Sequence, residues 1–185
     1  MIPQKIKDID FNFENSIVRI TANRNYSEIK LGGLSIGPFE EGNDYEVYYW
    51  VASELAKSGI AHYREDDSLD AAKLYKIQWK ERVQVAGQIS ELPNDFYPRL
   101  RRYIASVKED IPKQHEKFQE YEKAMQTALD IINSRLKKLV TLASGPTLTD
   151  QVLKKVTPEE RIIYEQLGKT IHEWRKRIIE YQNEG

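Results

Sequence analysis

A mostly helical α+β chain is what this sequence predicts: a small N-terminal β-rich domain with one helix over residues 1–65, then a C-terminal helical bundle with long helices over 66–185. Three observations carry that reading. Five of the nine glycines, Gly32, Gly33, Gly37, Gly42 and Gly59, fall in the first third of the chain, among short β-branched runs. From Leu69 onward apolar residues recur at three- and four-residue steps, the period of a helix. Between these regions the acidic stretch Glu65, Asp66 and Asp67 reads as a linker.

Taken in order, Ser16–Ile20 and Ser27–Gly37 read as small strands separated by turn-prone Asn23, Arg24 and Asn25. After the Gly37–Pro38 turn, Val47, Trp50, Val51 and Leu55 stand at helical spacing and stop at Gly59, so one helix is expected on the small sheet. Ile60–Glu65 returns as a further strand. In the second domain Ala72, Tyr75, Trp79, Val83 and Ala86 predict a helix that runs until Pro93 stops it. A shorter helix follows from about Tyr97 to Lys108, with Leu100, Tyr103, Ile104 and Val107 on one face, and Pro112 ends it. Phe118, Tyr121, Met125, Ala128, Ile132, Leu136, Leu139 and Ala143 form one seam of a rod that, at ~1.5 Å per residue, outgrows a compact core. Gly145 and Pro146 close it, and Leu148, Val152, Leu153 and Val156 suggest a brief helix. Thr157, Pro158 and Glu160 mark a capped helix start: threonine caps, proline suits the first turn, and glutamate three residues on returns the hydrogen bond. The seam Tyr164, Leu167, Ile171, Trp174, Ile178 and Tyr181 then predicts a helix packed along its length on another.

Composition bounds the function. The chain's 185 residues hold 28 basic and 29 acidic side chains, a formal charge of −1, which argues against a wholly basic nucleic-acid clamp and against an acidic tail protein. Hydrophobic residues at 40% and charged residues at 31% exclude disorder as the default. No apolar run approaches the ~18 residues of a membrane span. The absence of cysteine removes disulfides, thiolate zinc sites and thiol nucleophiles. The opening MIPQKIKDIDFNF has no long apolar signal region, so a cytoplasmic location is expected.

Catalysis needs converging groups, and few converge here. His62, His115 and His172 are scattered, with no pair at helical ligand spacing and no HExxH frame, so no metal or cofactor is expected. Glu40 with Glu41, and Glu159 with Glu160, lie beside turns or helix starts, where solvation and the helix dipole account for them. LGGLSIGPFEEG lacks both GxGxxG order and a Gly-Lys-Ser/Thr ending, so its glycines read as turn chemistry. Ser16, Ser53 and Ser134 have no base at a recognisable offset. Basic residues gather at Arg99, Arg101 and Arg102, at Arg135, Lys137 and Lys138, at Lys154 and Lys155, and at Arg175, Lys176 and Arg177. These could touch phosphates, yet residues 66–185 hold 21 basic against 19 acidic groups, so solvated helix faces and ion pairs are the stronger reading and only weak, salt-sensitive DNA contact stays open.

Eleven tyrosines and three tryptophans exceed what a core this small needs, and aromatic side chains favour interfaces. Trp79 and Trp174 are expected within intramolecular seams. Tyr48 and Tyr49 beside Trp50, and Phe96 and Tyr97 with Arg99 and Arg102 in the helix-opening turn after Pro93, are the interface candidates. For Phe96 a core role is an equal alternative.

These stretches resemble a known family. LGGLSIGPFEEGNDYEVYYWVASELAKSG is similar to the small β-domain of GINS subunits, with Tyr49 standing where that pattern has proline. Trp79 and Glu81 followed by ELPNDFYPRL resemble the family's helical-domain signature, RLKKLVTLA its long helix and TPEERIIYEQLGKTIHEWRKRI its last. With the small domain first, the chain resembles the archaeal GINS subunit of that domain order. The resemblance implies a non-enzymatic scaffold in DNA replication, nucleoid-associated in the cytoplasm. It would be joined to a sister GINS subunit as a heterotetramer and bind the MCM helicase and a RecJ-like protein, with the small domain as an accessory module. Against it stand a DNA-binding helical module using basic helix faces and, further off, a carboxylate hydrolase or transferase.

Overall fold

A computed structural model describes residues 2–64, 68–84, 88–113, 116–145 and 150–180. Contacts divide the chain into two compact units, one of Lys7–Ser68 and one of Met1–Ile6 with Leu69–Gly185. The acidic stretch at 65–67, Ala86, His115, Leu148 and Tyr181 lie outside the described residues.

In the smaller unit a three-stranded antiparallel sheet has the order β4-β1-β5, formed by β1 (Ile17–Ala22), β4 (Asp44–Tyr48) and β5 (Ala61–Tyr63). A separate hairpin pairs β2 (Ile29–Leu31) with β3 (Leu34–Ile36) around Gly32 and Gly33, whose φ of 55° and 93° suit residues without a Cβ. Strand alternation puts Ile20 and Ala22 inward while Ile17 and Arg19 face out. Helix α2 (Tyr49–Lys57) lays Val51, Ala52 and Leu55 onto the same core, beside Phe39, Val47, Ile60 and Ala61. Gly37 holds φ 91°, and a Cβ there would stand 3.1 Å from the Phe39 ring, so glycine is what lets the turn close over this core residue.

Two differences from the sequence reading have physical causes. Val47 lies in a strand rather than a helix, because Asp44–Tyr48 pairs with β1 from Thr21↔Asp44 to Ile17↔Tyr48, and a full ladder outweighs the helical spacing Val47 shares with Val51. The opening residues form a helix, α1 (Ile2–Glu14), which that reading does not anticipate, although Ile2, Ile6, Ile9 and Phe13 recur at helical steps.

In the larger unit the helices are α3 (Ala71–Val83), α4 (Phe96–Asp110), α5 (Glu116–Ser144), α6 (Asp150–Leu153) and α7 (Pro158–Ile179), with a 3-10 turn at Ile111–Lys113. The Asp70 side chain caps α3 by accepting from the Lys73 N–H at 2.8 Å. That helix ends at Val83, ten residues before the proline expected to stop it. The predicted cap of α7 is present in full: Thr157 accepts from the Glu160 N–H at 3.4 Å, and Glu160 accepts from the Thr157 N–H at 3.0 Å. The 29-residue α5 is the spine on which α3, α4 and α7 pack. Leu74, Leu92, Phe96, Leu100, Ala128 and Ile131 form one buried cluster, and Ile89, Leu139 and Val156 form a second.

Candidate interaction surface

Helix α5 has two faces with opposite chemistry. Ala124, Ala128, Ile131, Arg135, Lys138 and Leu139 recur at three- and four-residue steps and are buried. Leu129, Ile132, Leu136 and Val140 recur at the same steps and are 45, 36, 41 and 40% exposed. Ile131 and Ile132 sit about 100° apart around the helix, one fully buried and the other on the surface. The seam read from sequence therefore mixed two faces, since it joined the buried Ala128 and Leu139 to the outward Ile132 and Leu136.

What lies inward on α5 is partly ionic. Arg135 is completely buried; its Nη1 donates to Glu81 Oε1 at 2.8 Å and to the Ser90 carbonyl at 2.9 Å. Its Nη2 donates to Glu160 Oε2 at 2.6 Å and to the Lys155 carbonyl at 3.0 Å, while Nε donates to Glu160 Oε1. Lys138 Nζ donates to Glu81 Oε2 and, at 3.0 Å, to the Glu81 carbonyl. Tyr97 donates its hydroxyl to Glu160 Oε1 at 2.8 Å, and Ser90 donates to Glu81. Two cations face two carboxylates, so the cluster is neutral, and each Arg135 nitrogen has an acceptor, the condition under which buried ions are tolerated. Burial opposes ionisation of Glu81, but the hydrogen bonds from Lys138 and Ser90 and the Arg135 charge overcome it and hold the carboxyl below its ordinary range. Burial, reinforced by the Glu160 charge, pushes the Tyr97 hydroxyl far up, so it stays a neutral donor.

This network explains why α3 turns the face it does. Glu81 must meet Arg135 and Lys138, and Gln78 donates to Asp130 at 2.8 Å, so Leu74, Gln78 and Glu81 point inward. Tyr75, Trp79 and Val83 are thereby left 64, 57 and 57% exposed. Trp174 on α7 is likewise 62% exposed. The intramolecular placement expected for both tryptophans is corrected: their seams are apolar, but the chain's own core does not cover them.

The interface candidates are distributed as follows. Tyr48 is 36% exposed at the end of β4, across from Ile17. Tyr49 opens α2 and sits between rings, 4.4 Å from Phe13 and stacked on Tyr63 at 5.6 Å. Phe96 is 2% exposed within the cluster of Leu74 and Leu100, the core role that was its alternative. Tyr97 is half-buried on the ionic network. Arg99 pairs with Asp95 at 2.7 Å, and Arg102 donates to the Pro98 carbonyl at 3.0 Å. Of the other basic groups, Arg101 pairs with Glu159 at 3.1 Å, Arg135 and Lys138 are inside and Lys176 pairs with Glu180 at 3.8 Å, so with Arg99 five of the cations read as phosphate candidates are bound to carboxylates.

Sequence reasoning missed Leu129 and Val140 and the inward role of Arg135. A signal was present: adjacent apolar doublets, Ala128-Leu129, Ile131-Ile132 and Leu139-Val140, recur every three to eight residues, and a helix covered on one side has no use for both members.

Among the described residues no group of three histidines or carboxylates is placed to hold a metal ion, and no helix is long and apolar enough to cross a membrane. A family model for the GINS complex protein helical bundle domain matches residues 65–179, the stretch that contains the network and both outward stripes. The chain belongs to the GINS family. A second model, for the PSF2 N-terminal domain, matches residues 5–62, so the small unit precedes the helical one in this subunit as the sequence resemblance requires. The human DNA replication complex GINS protein PSF2 is 27% identical to it over 110 residues, which are 59% of this chain. The match spans 58% of the length of that curated relative.

Proposed function

We propose that this chain is a non-catalytic structural subunit of a GINS assembly in DNA replication, seated through its helical unit on a sister GINS subunit of the opposite domain order. The observation that carries the reading is the outward stripe Leu129, Ile132, Leu136 and Val140 on the longest helix, with Tyr75, Trp79 and Val83 on α3. Exposed apolar side chains in a row at helical spacing are the surface on which another helix packs, and a chain folding for itself alone gains nothing from them. The relative named for a GINS complex supports the same assignment. Residues 66–185 then act as the assembling domain and 1–65 as the accessory module, and a heterotetramer is the expected form. The MCM helicase and a RecJ-like protein are the partners for the assembled complex, which would place the chain on the nucleoid in the cytoplasm.

Co-expression with the sister subunit, followed by light scattering on the purified material, tests this. A stable complex of both chains is expected, and Ile132→Glu with Leu136→Glu should abolish it while the helical content of the chain is unchanged. Two separate monomers, or a complex indifferent to the double variant, would refute the reading.

A further inference from the structure

Helix α7 carries its apolar stripe beyond the part that its own unit covers. Ile163 and Tyr164 pack on the cluster of Ile89, Leu139 and Val156. From Lys169 onward Ile171 alone is partly covered, and Trp174, Ile178 and Ile179 are 62, 67 and 81% exposed. Ile171, Trp174 and Ile178 continue the line of Tyr164 and Leu167 at steps of three and four, so one straight stripe is half seated and half bare.

The flanks of the bare half are basic in a particular way. Arg175 follows Trp174 by one residue and Arg177 precedes Ile178 by one, which sets them about 100° to either side of the stripe. Lys169 pairs with Glu173 and Lys176 with Glu180, so both carboxylates of this stretch are already engaged by lysines. Arg175 donates to the Ser144 carbonyl at 3.0 Å, and among the described residues neither Arg175 nor Arg177 has a carboxylate partner. Ile179 lies beside Arg175 in a shallow depression that His172, Lys176 and Glu180 complete. The outer stripe of α5 differs: Asp130, Asn133, Lys137 and Thr141, which follow its members by one residue, carry one charge of each sign and so no net charge.

We propose that Lys169–Ile179 of α7 is a docking helix for an acidic protein, one whose apolar groove takes Trp174 and Ile178 and whose rim carboxylates answer Arg175 and Arg177. This partner is chemically distinct from the one the outer stripe of α5 accepts, and its binding does not depend on that stripe. An amphipathic helix with a tryptophan anchor and flanking arginines is the form in which helices enter acidic apolar grooves. Nucleic acid would satisfy the guanidinium groups but leave Trp174, Ile178 and Ile179 in water.

The test uses the full chain and a labelled helical peptide with a leucine seam flanked by glutamates, followed by fluorescence anisotropy. Saturable binding that weakens as salt rises is expected, because Arg175 and Arg177 are solvent-facing charges. Arg177→Glu should weaken it roughly tenfold, as should Trp174→Ala, both the scale of an interface anchor, whereas Leu136→Glu should leave it unchanged. Among the described residues Arg177 makes no ion pair with a carboxylate, and the helical content of the Arg177→Glu variant, read by circular dichroism, separates a loss of binding from a loss of folding. No saturable binding, equal binding by the Arg177 variant, or preference for a labelled DNA duplex or anionic phospholipid vesicles over the peptide would each overturn the proposal.

Discussion

The two units solve the problem of a core in opposite ways. In the small unit hydrocarbon is inside and ions are outside: Ile20, Ala52 and Phe39 are 0 to 2% exposed, while Arg19 and Glu46 pair across the sheet with side chains 61 and 60% exposed. In the helical unit Arg135, Lys138, Glu81 and Glu160 are inside, and leucine, isoleucine and tryptophan are on the surface. The first arrangement draws its stability from the burial of apolar area. In the second, a buried ion pair adds little net stability and instead fixes geometry, because each ion accepts only one arrangement of partners. The helical unit thus has a defined shape and leaves apolar area on its surface, as the proposed seat on a sister subunit requires.

Breaking the network gives the largest contrast. Arg135→Met leaves Glu160 buried without a cation and Glu81 with Lys138 alone, and should destabilise the helical unit by about 4 kcal/mol. Replacing all four ions together with apolar residues of similar volume should recover most of that loss, a pattern that chemical denaturation followed by circular dichroism would reveal. If the fourfold variant is no more stable than Arg135→Met, the network contributes more than geometry. In the small unit Phe39→Ala should cost about 3 kcal/mol through the cavity it leaves, read from the fluorescence of Trp50, which packs on the same core.

Acid separates the units next. The Glu81 carboxyl is held below its ordinary value of 4.5, so the stability it brings is fully present above that pH and is lost as pH falls through the lowered value. Denaturation midpoints should be flat from pH 8 to about pH 5 and drop below about pH 4.5, and Glu81→Gln should flatten that slope even though it lowers stability at neutral pH. The smallest effect is local: Thr157→Ala removes the acceptor for the Glu160 N–H and should cost about 1 kcal/mol, because the carboxylate of Glu160 still holds Arg135.

How much of this was legible beforehand varies by element. The capping box at Thr157 and Glu160 and the long α5 are local patterns, in which a residue's neighbours within four positions decide its conformation, whereas Ser27–Gly37, read as strand, folds back on itself as a hairpin at Gly32 and Gly33. β4 was misread as helix because its reason is Ile17–Thr21, more than twenty residues away. Of the candidate surface, Tyr48 could be named from its place beside Tyr49 and Trp50, but Leu129 and Val140 were passed over, since their period is that of the buried face and only the adjacent apolar doublets set them apart.

The sequence by itself determined most of the elements, α1 and β4 apart, with their order, the cap of α7 and the division into a glycine-rich β part and a helical part. It also carried the family, because the ordered motifs survive as text. Which side of each helix faces inward was decided only by tertiary structure. Both faces of α5 obey the same three-and-four spacing, and the choice between them rests on Glu81 and Glu160 reaching Arg135 from 54 and 25 residues away, a meeting that depends on position in space and leaves no periodic trace in the chain.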